Sequence, residues 1–343
     1  MRKLLNTLFV TSEDSYLALE NENVLVLSGD ERKGQFPLSI LEGIICFSYK
    51  GASPALMGAC AKRGVQLCFM TPNGRFLART CGEDRGNVLL RKRQYRISDD
   101  PEQSCLIARN FIFGKVYNTR WMIERTVRDH SMRVESDELR HISRQMADQL
   151  PAIAEATDLD LLRGLEGEAS SRYFAAFDQM ILNQKESFSF RDRNRRPPMD
   201  NVNALLSFAY TILANDCGAA LESVGLDSYV GFLHRDRPGR ASLSLDLMEE
   251  LRGPLADRMV LTLVNTRAIQ PRHFCRQANS AVLLNDEGRK VFLSAWQERK
   301  RETLTHPYLK EKIYWGLVPY VQALLLARYL RGDLDGYPPF LWK

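Results

Sequence analysis

The sequence predicts an α+β protein with a small N-terminal β-rich domain, residues 1–90, and a larger all-α domain, residues 91–343. Its 343 residues are about twice the commonest size of a single domain. Up to about residue 82, short apolar runs are separated by Gly, Pro, Asn and Asp, which is typical of strands. Beyond Gly86, apolar residues recur every three or four positions over long stretches with few internal Gly or Pro, which indicates helices.

Six short runs in the N-terminal domain predict a compact antiparallel sheet, and one segment predicts a helix. The predicted strands are LNTLFV, SYLALE, NVLVLSG, residues 41–49, VQLCFMT and GRFLART. The helix extends from about Ser53 to Lys62, with Ser53 as its N-cap, Pro54 in its first turn and Gly64 as its end.

The second domain is predicted to contain seven long helices. They cover residues 101–128, 134–150, 158–184, 202–223, 243–266, 285–300 and 306–330. Residues 83–100 are polar and basic and form either a linker or the first turns of the helical domain, so the domain boundary is placed at about residue 90. The apolar C-terminal segment YPPFLWK is expected to dock on a partner or on the protein's own body.

The composition excludes several classes of protein. Hydrophobic residues make up 45% and charged residues 26% of the chain, which is unlike disordered, collagen-like or disulfide-scaffold proteins. Seven cysteines without a C-x-x-C pair indicate reduced, buried thiols, and hence a cytoplasmic protein without a zinc site. No signal peptide is expected, and no apolar stretch approaches the roughly 20 residues that span a bilayer, so no membrane is expected. The net charge of +5 permits a polyanionic partner without requiring one.

Two polar segments of the helical half are rich in Arg and Pro. They are FRDRNRRPP (residues 190–198) and GFLHRDRPGR (residues 231–240), and their Pro and Gly content predicts loops. One such loop alone would be interpreted as a solvated surface with salt bridges. Two of them on either side of one helix favour a surface that faces an anion.

A histidine in the second loop is followed, shortly after the loop ends, by two carboxylates. Asp246 and Glu249 are three residues apart, so a helix places both on one face. His234 precedes Asp246 by twelve residues, near enough for the loop to fold back over the start of the helix. The set could be structural, with acids that favour the helix dipole and a surface imidazole.

Four arginines surround this set in sequence: Arg235, Arg237, Arg240 and Arg252. Carboxylates can hold a divalent cation, and guanidiniums can hold phosphates. Together they are the groups that metal-assisted phosphodiester chemistry requires.

Glu166 is the candidate for a third carboxylate. Gly164 and Gly167 flank it inside a helical pattern, where each Gly costs about 1 kcal/mol relative to Ala. This cost indicates the close approach of another backbone or of a ligand. The alternative is a tight helix crossing at which Gly fits and Glu166 caps a neighbouring group.

Three motifs, in this order and spacing, resemble those of the CRISPR-associated spacer-acquisition integrases, the universal adaptation nucleases of CRISPR systems. The motifs are LRGLEGEASSRYF, RDRNRRPPMDNVNALLSFAYTIL and GFLHRDRPGRASLSLDLMEELR. The resemblance covers essentially the whole chain, and the HRDRPGR loop looks most like subtype I-C. It implies the same two-domain organisation that the residue patterns predict.

The resemblance also implies a catalytic metal site. The family's metal-binding glutamate corresponds to Glu166, its histidine to His234 and its third ligand to Glu249, with Asp246 as the neighbouring catalytic acid. The implied cofactor is Mg2+ or Mn2+. Gly253 departs from the family pattern and is expected to loosen the helix without touching a ligand.

The implied reaction is the attack of a prespacer 3′-hydroxyl on a phosphodiester at the edge of the CRISPR repeat, in antiviral defence. With water as the nucleophile, the same site would act as an endonuclease, a hydrolase of phosphodiester bonds. Six arginines are expected to hold DNA phosphates without choosing sequence. They are Arg193, Arg195, Arg196, Arg237, Arg240 and Arg252.

The partners implied by the resemblance are prespacer duplex and CRISPR repeat DNA, a second copy of the chain and a small ferredoxin-like adaptation protein. The homodimer would form largely through the β-rich domains. Two other functions stay open. A non-catalytic scaffold would bind DNA without metal-dependent strand transfer, and a stand-alone nuclease for branched repair intermediates would need no CRISPR locus.

Overall fold

The computed structural model describes residues 6–71, 76–80, 82 and 88–343. A β-rich region is followed by a mostly helical one, which confirms the predicted α+β class. The strands are β1 (Thr7–Val10), β2 (Ser15–Glu20), β3 (Asn23–Ser28), β4 (Glu31–Pro37), β5 (Gly43–Cys46), β6 (Gln66–Met70), β7 (Phe76–Arg79), β8 (Phe274–Arg276), β9 (Val282–Leu284), β10 (Thr303–Thr305) and β11 (Lys312–Tyr314). The helices are α1 (Pro54–Arg63), α2 (Val88–Ser98), α3 (Pro101–His130), α4 (Ser136–Glu155), α5 (Leu159–Phe177), α6 (Asn201–Ser223), α7 (Ser242–Leu251), α8 (Arg258–Asn265), α9 (Asp286–Arg301) and α10 (Val318–Arg331).

The N-terminal strands form two sheets, so the prediction of one antiparallel sheet is wrong. β2, β3 and β4 form an antiparallel sheet, and β1, β5, β6 and β7 form a mixed one. β5 is parallel to both β1 and β6, whereas β6 and β7 are antiparallel. The helix α1 connects β5 to β6, and a helical crossover of this kind makes the two strands parallel. The sequence did not predict β4 because its side chains are mostly polar and exposed.

The ends of α1 agree with the prediction. Ser53 Oγ accepts a hydrogen bond of 3.2 Å from the backbone N–H of Leu56, and Gly64 has φ +68° in the left-handed region. The domain boundary at about residue 90 stays a prediction. α2 begins at Val88, and residues 83–87, which include the basic Arg85, lie outside the described residues.

The predicted long helices are present from α3 to α9, but the last one begins twelve residues later than expected. Residues 303–314 form the antiparallel hairpin β10–β11, and α10 begins only at Val318. A second hairpin pairs β8 with β9. Each of these strands is three residues long, which is too short to produce a recognisable alternation of apolar and polar residues.

The predicted helix 243–266 is two α-helices joined by a π-helix, Arg252–Asp257. Gly253 lies in this segment, so the helix departs from α-helical geometry where the sequence predicted that it would loosen. A Cβ at Gly253 would lie 3.0 Å from Thr119 Cγ2 of α3, so the glycine allows α3 and the π-helix to approach closely. α7 is buried on nearly every side, and its acidic residues therefore lie inside the protein.

α6 is long and apolar enough to cross a membrane by length and composition, contrary to the expectation that no stretch approaches that length. It is the one such helix in the part of the chain that the structure describes. About two thirds of its apolar window, 67%, is buried inside the protein. α6 is therefore a core helix of the helical region, packed against α7 and α10.

The C-terminal segment docks on the protein's own body, which decides between the two predicted alternatives. Phe340 is fully buried. Asn118 of α3 donates a 2.7 Å hydrogen bond to the carbonyl of Phe340 and accepts one of 2.8 Å from the N–H of Trp342. The N–H of Phe340 in turn donates to Glu250 Oε2 of α7 at 2.7 Å. The tail thus joins α3 to α7.

Candidate active site

Asp246 holds the loop that precedes α7 and fixes the orientation of His234. Its Oδ2 accepts hydrogen bonds from the N–H groups of Phe232 (2.7 Å) and Leu233 (3.0 Å). Its Oδ1 accepts the N–H of His234 (3.1 Å) and lies 2.6 Å from His234 Nδ1. Because a carboxylate only accepts, Nδ1 carries a proton, and in the neutral imidazole Nε2 then keeps its lone pair. Asp246 is fully buried behind the imidazole, where it positions the ring.

Gly231 makes this loop conformation possible. A Cβ at this position would lie 2.8 Å from Asp246 Oδ2 and 2.8 Å from Ser242 Cβ. No side chain fits so close to the carboxylate. The motif GFLH therefore begins with glycine because the chain passes directly over Asp246.

Glu249 lies one turn after Asp246 and has two cationic neighbours. Lys115 Nζ is 2.9 Å from its Oε2, and Arg252 Nη2 is 3.0 Å from its Oε1. His234 Nε2 lies 3.9 Å from Oε1, beyond hydrogen-bond range. Burial raises the pKa of Glu249, but the charges of Arg252 and Lys115 outweigh it and lower this pKa to about 2. The Glu249 side chain is therefore ionised at neutral pH despite its burial.

Glu166 contacts the same lysine from α5. Its Oε1 accepts hydrogen bonds from Lys115 Nζ and from Ser170 Oγ, the latter at 2.8 Å. Lys115 therefore links Glu166 to Glu249, and His234 adjoins Glu249. The structure brings the three residues predicted as metal ligands into one cluster.

The glycines beside Glu166 do not lie at a helix crossing, so that alternative is wrong. A Cβ at Gly164 or Gly167 would meet no atom within 4 Å. Both glycines are exposed, because they lie on the outer side of α5. The same finding excludes the predicted close approach of another backbone, and the approach of a ligand beside Glu166 stays a prediction.

The donor set of the cluster fits a divalent cation. Carboxylates suit Mg2+, and an imidazole nitrogen as a third donor also suits Mn2+. A histidine whose Nδ1 bonds a carboxylate while Nε2 stays free is the usual arrangement of a metal-binding imidazole. Among the described residues, no group of three or more His, Cys, Asp or Glu side chains can hold an ion as it stands. In this cluster the ammonium of Lys115 lies between Glu166 and Glu249.

The two arginine-rich loops lie near each other. Burial lowers the pKa of Arg240, and so does the positive charge of Arg237, whereas the carboxylate of Asp246 raises it; Arg195 and Arg196 of the other loop also lower it, so charges of the two loops act on one another. Arg195, Arg196 and Arg237 are exposed. Within the described ranges, none of the four forms an ion pair with an acid. We call these four residues the arginine cluster.

Arg193 and Arg252, also predicted to contact DNA, have their guanidiniums engaged within the protein. Arg193 donates to Asn203 Oδ1 (2.6 Å) and Ser207 Oγ (3.0 Å). Both guanidiniums lie over the ring of Tyr210, at 5.4 Å for Arg193 and 5.0 Å for Arg252. Contact of either residue with DNA stays a prediction.

A buried acid, Asp257, binds the tyrosine on which Arg193 and Arg252 lie. Asp257 accepts hydrogen bonds from Tyr210 Oη (2.6 Å) and Tyr173 Oη (3.0 Å). Burial raises its pKa to about 6, against the lowering effect of these hydrogen bonds and of Arg252 and Arg193. The tyrosines therefore connect the end of the π-helix to the arginines behind the site.

Sequence reasoning missed Lys115. It lies in the run FIFGKV of α3, where the surrounding residues Phe111, Ile112 and Val116 are buried. A single lysine on the buried face of an apolar helix is the signal that identifies it, because such a charge needs a partner. The partners lie 51 and 134 residues further along the chain, so the sequence does not reveal them.

The sequence matches the family model described as CRISPR associated protein Cas1 over residues 8–298. The chain is also 46% identical, over 100% of both proteins, to CRISPR-associated endonuclease Cas1 1 of Chlorobaculum tepidum. The chain belongs to the Cas1 family of CRISPR-associated endonucleases. The resemblance of this Cas1 chain to subtype I-C stays a prediction.

Two solved structures share the fold of this Cas1 chain. A casposase bound to its integration product superimposes with a TM-score of 0.83 and 22% identity, over 98% of this chain and 94% of that one. A Cas6-RT-Cas1–Cas2 complex contains a chain that matches with a TM-score of 0.81 and 21% identity, over 98% of this chain and 36% of that one. At these identities, the likeness concerns the fold.

Proposed function

We propose that this Cas1 chain is a metal-dependent DNA integrase and endonuclease that inserts prespacer DNA into a CRISPR array in antiviral defence. The observation that carries the proposal is the cluster of Glu166, Glu249 and His234, with the imidazole held by Asp246 so that Nε2 is free. The fold shared with a casposase bound to its integration product supports strand transfer as well as hydrolysis.

Glu166, Glu249 and His234 Nε2 are the groups that would hold Mg2+ or Mn2+. When bound, such an ion polarises a phosphoryl oxygen and stabilises charge on the entering or leaving oxygen. The chain's own residues prepare the site: Asp246 orients the imidazole, and Arg252 fixes one oxygen of Glu249.

In the proposed reaction, the 3′-hydroxyl oxygen of the prespacer forms a bond to the phosphorus at the repeat edge. The bond from that phosphorus to the preceding strand breaks, and this strand leaves with a free 3′-hydroxyl group. One phosphodiester is consumed and one is formed, so no other co-reactant is needed. With water in place of the prespacer, the products are those of an endonuclease.

The arginine cluster is the proposed contact with DNA phosphates. Three of its four arginines are exposed, and guanidiniums without an ion-paired acid suit a phosphate backbone, since each can donate two parallel hydrogen bonds to phosphate oxygens. These contacts would position the DNA, and they carry no sequence information by themselves.

We also propose a homodimer through the β-rich region, in a cytoplasmic complex with a small ferredoxin-like partner. The exposed large apolar side chains of that region include Tyr16, Phe36, Ile40 and Tyr49. Exposed apolar groups of this size are typical of association surfaces when they lie together. The solved complex that contains Cas1 and Cas2 supports a protein partner.

The deciding experiment is a strand-transfer assay. A labelled DNA fragment with a 3′-hydroxyl is incubated with a plasmid that carries repeats, with and without Mn2+ and the partner protein, and covalent joining is measured. The wild type should join the fragment only with the metal ion. Glu166→Ala and His234→Ala should abolish joining and cleavage but retain folding, whereas Glu168→Ala, two residues from Glu166 and directed at Arg172 and Gln149, should retain both activities.

Three results would contradict the proposal in different ways. DNA binding without metal-dependent joining or cleavage would indicate a scaffold. Cleavage of branched DNA without joining would indicate a stand-alone nuclease. Full metal-dependent activity of Glu166→Ala or His234→Ala would show that the site is assigned to the wrong residues.

A further inference from the structure

Lys115 is a buried lysine at the centre of the candidate active site. Only 8% of its surface is exposed, and it projects from a face of α3 that is otherwise mostly apolar. Burying an ammonium group is costly unless it is paired. The position of this charge therefore depends on the groups that surround its Nζ.

Those groups are two carboxylates from two other helices. Lys115 Nζ donates to Glu166 Oε1 on α5 and lies 2.9 Å from Glu249 Oε2 on α7. In the described part of the chain, Lys115 alone contacts both carboxylates. It is thus the group that offsets their mutual repulsion.

The charges of the site show what the lysine contributes. Glu166, Glu249 and Asp246 carry three negative charges, while Lys115 and Arg252 carry two positive ones. Arg252 binds the other oxygen of Glu249, so it does not substitute for Lys115 between the carboxylates. Without Lys115, the space between Glu166 and Glu249 would be lined by negative charge alone.

We propose that Lys115 is a built-in counter-ion that holds Glu166 and Glu249 together in the metal-free protein and is displaced when a divalent cation binds to the same carboxylates. This inference rests on the proposed function, because it requires the metal site. The ammonium is a compact point charge on a flexible four-carbon chain, so it can leave the carboxylates without movement of α3. Lys115 is a positioning residue that competes with the metal ion.

The test measures Mn2+ binding to the full chain, by titration calorimetry or by electron paramagnetic resonance of free Mn2+. Lys115→Met removes the charge and keeps a long apolar side chain. It should lower the dissociation constant for Mn2+ by about tenfold or more, since a charged hydrogen-bond donor no longer competes. Its melting temperature should fall without metal and rise more than that of the wild type when Mn2+ is added.

Lys300→Met is the matched control. Lys300 is also 8% exposed and ion-paired, at 3.6 Å from Asp216 Oδ2, but it does not contact the site. Its removal should leave the Mn2+ dissociation constant unchanged. A second variant, Lys115→Arg, keeps the charge in a fork that binds carboxylates more firmly. It should weaken Mn2+ binding relative to the wild type.

Unchanged or weaker Mn2+ binding by folded Lys115→Met would overturn the inference. If that variant does not fold, Lys115→Arg decides: Mn2+ affinity equal to that of the wild type would overturn the inference. Failure of the proposed function would give a different result. The wild type would then bind no Mn2+, or would bind it equally well after Glu166→Ala or His234→Ala.

Discussion

At the scale of single residues, the role of each side chain in the site depends on which of its atoms already form hydrogen bonds. Asp246 accepts four hydrogen bonds, three from backbone N–H groups and one from the imidazole. Its role is therefore to fix the loop and the tautomer of His234. A carboxylate is required, since only a group that accepts at both oxygens serves all four donors.

Replacing Asp246 with Asn tests this role. The amide nitrogen cannot accept, so at least one buried donor loses its partner and the imidazole is no longer held in one tautomer. We expect a loss of about 1–3 kcal/mol in the free energy of unfolding and a Mn2+ affinity roughly 10–100-fold weaker. Chemical denaturation and Mn2+ titration measure the two effects.

Asp236→Asn is the control for this substitution, because Asp236 is exposed in the same loop. It should change neither quantity. Wild-type Mn2+ affinity in Asp246→Asn would show that Asp246 does not position the imidazole.

The residues that the sequence predicted and those it missed differ in how their contacts arise. Asp246 and Glu249 were predictable together because helical spacing alone places them on one face. His234 followed because it lies only twelve residues before Asp246, in a loop that returns to the same helix. Lys115 was missed because its contacts depend on how α3, α5 and α7 pack, and no local pattern encodes that packing.

At the scale of elements, α7 carries Glu249 toward the site and Glu250 toward the C-terminal tail. Glu250 is fully buried and accepts hydrogen bonds from Tyr337 Oη, from the N–H of Phe340 and from Gln322 Nε2. Burial raises its pKa to about 7, although these hydrogen bonds lower it. The docking of the tail is therefore coupled to a proton.

This coupling predicts how stability depends on pH. The pKa of Glu250 is raised from 4.5 to about 7 on folding, so the folded protein binds the proton more tightly than the unfolded chain. Its stabilising effect is complete below pH 4.5 and is lost as the pH rises through 7. Relative to Glu250→Gln, the wild type should lose up to about 3 kcal/mol in free energy of unfolding over that range. Denaturation of both proteins at several pH values measures this, and parallel curves would contradict it.

The close packing of the π-helix against α3 leads to a second prediction, on the stability of Gly253→Ala. In Gly253→Ala, the new Cβ would lie 3.0 Å from Thr119 Cγ2 and 3.3 Å from Met122 Sδ, so α3 and the π-helix must separate. We expect a loss of about 1–3 kcal/mol in the free energy of unfolding.

Gly167→Ala is the matched control for this prediction. It makes the same change in a helix where the Cβ meets no atom within 4 Å, so it should leave stability unchanged or raise it by up to about 1 kcal/mol. Equal effects of the two substitutions in urea denaturation would contradict the packing argument.

The long helices and the limits of α1 were predictable because their periodicity and caps are local. The two sheets, β4 and the two short hairpins were not. β4 lacks an apolar face, the hairpin strands are three residues long, and the parallel pairing of β5 with β6 depends on the position of α1. In each case the decisive contacts lie outside the segment itself.

At the scale of the whole molecule, the net charge of +5 does not show where positive charge is concentrated on the surface. Many basic side chains are neutralised locally, such as Arg289 with Asp286 and Lys300 with Asp216. The arginine cluster forms no ion pairs within the part of the chain that the structure describes. These unpaired guanidiniums therefore offer a polyanion a positively charged surface.

This distribution predicts the salt dependence of DNA binding. On duplex DNA, each phosphate contact contributes roughly 0.9 to the slope of log affinity against log salt concentration. Replacing Arg195, Arg196, Arg237 and Arg240 with Ala should reduce that slope by up to about 3.6. The control replaces four arginines that lie outside the two arginine-rich loops and are each paired with an acid, Arg32, Arg63, Arg128 and Arg140, and so makes the same change in net charge. Binding of a labelled duplex at several salt concentrations measures both slopes. If the slope of log affinity against log salt concentration falls by the same amount in both variants, total charge attracts the DNA and the arginine cluster is not its contact surface.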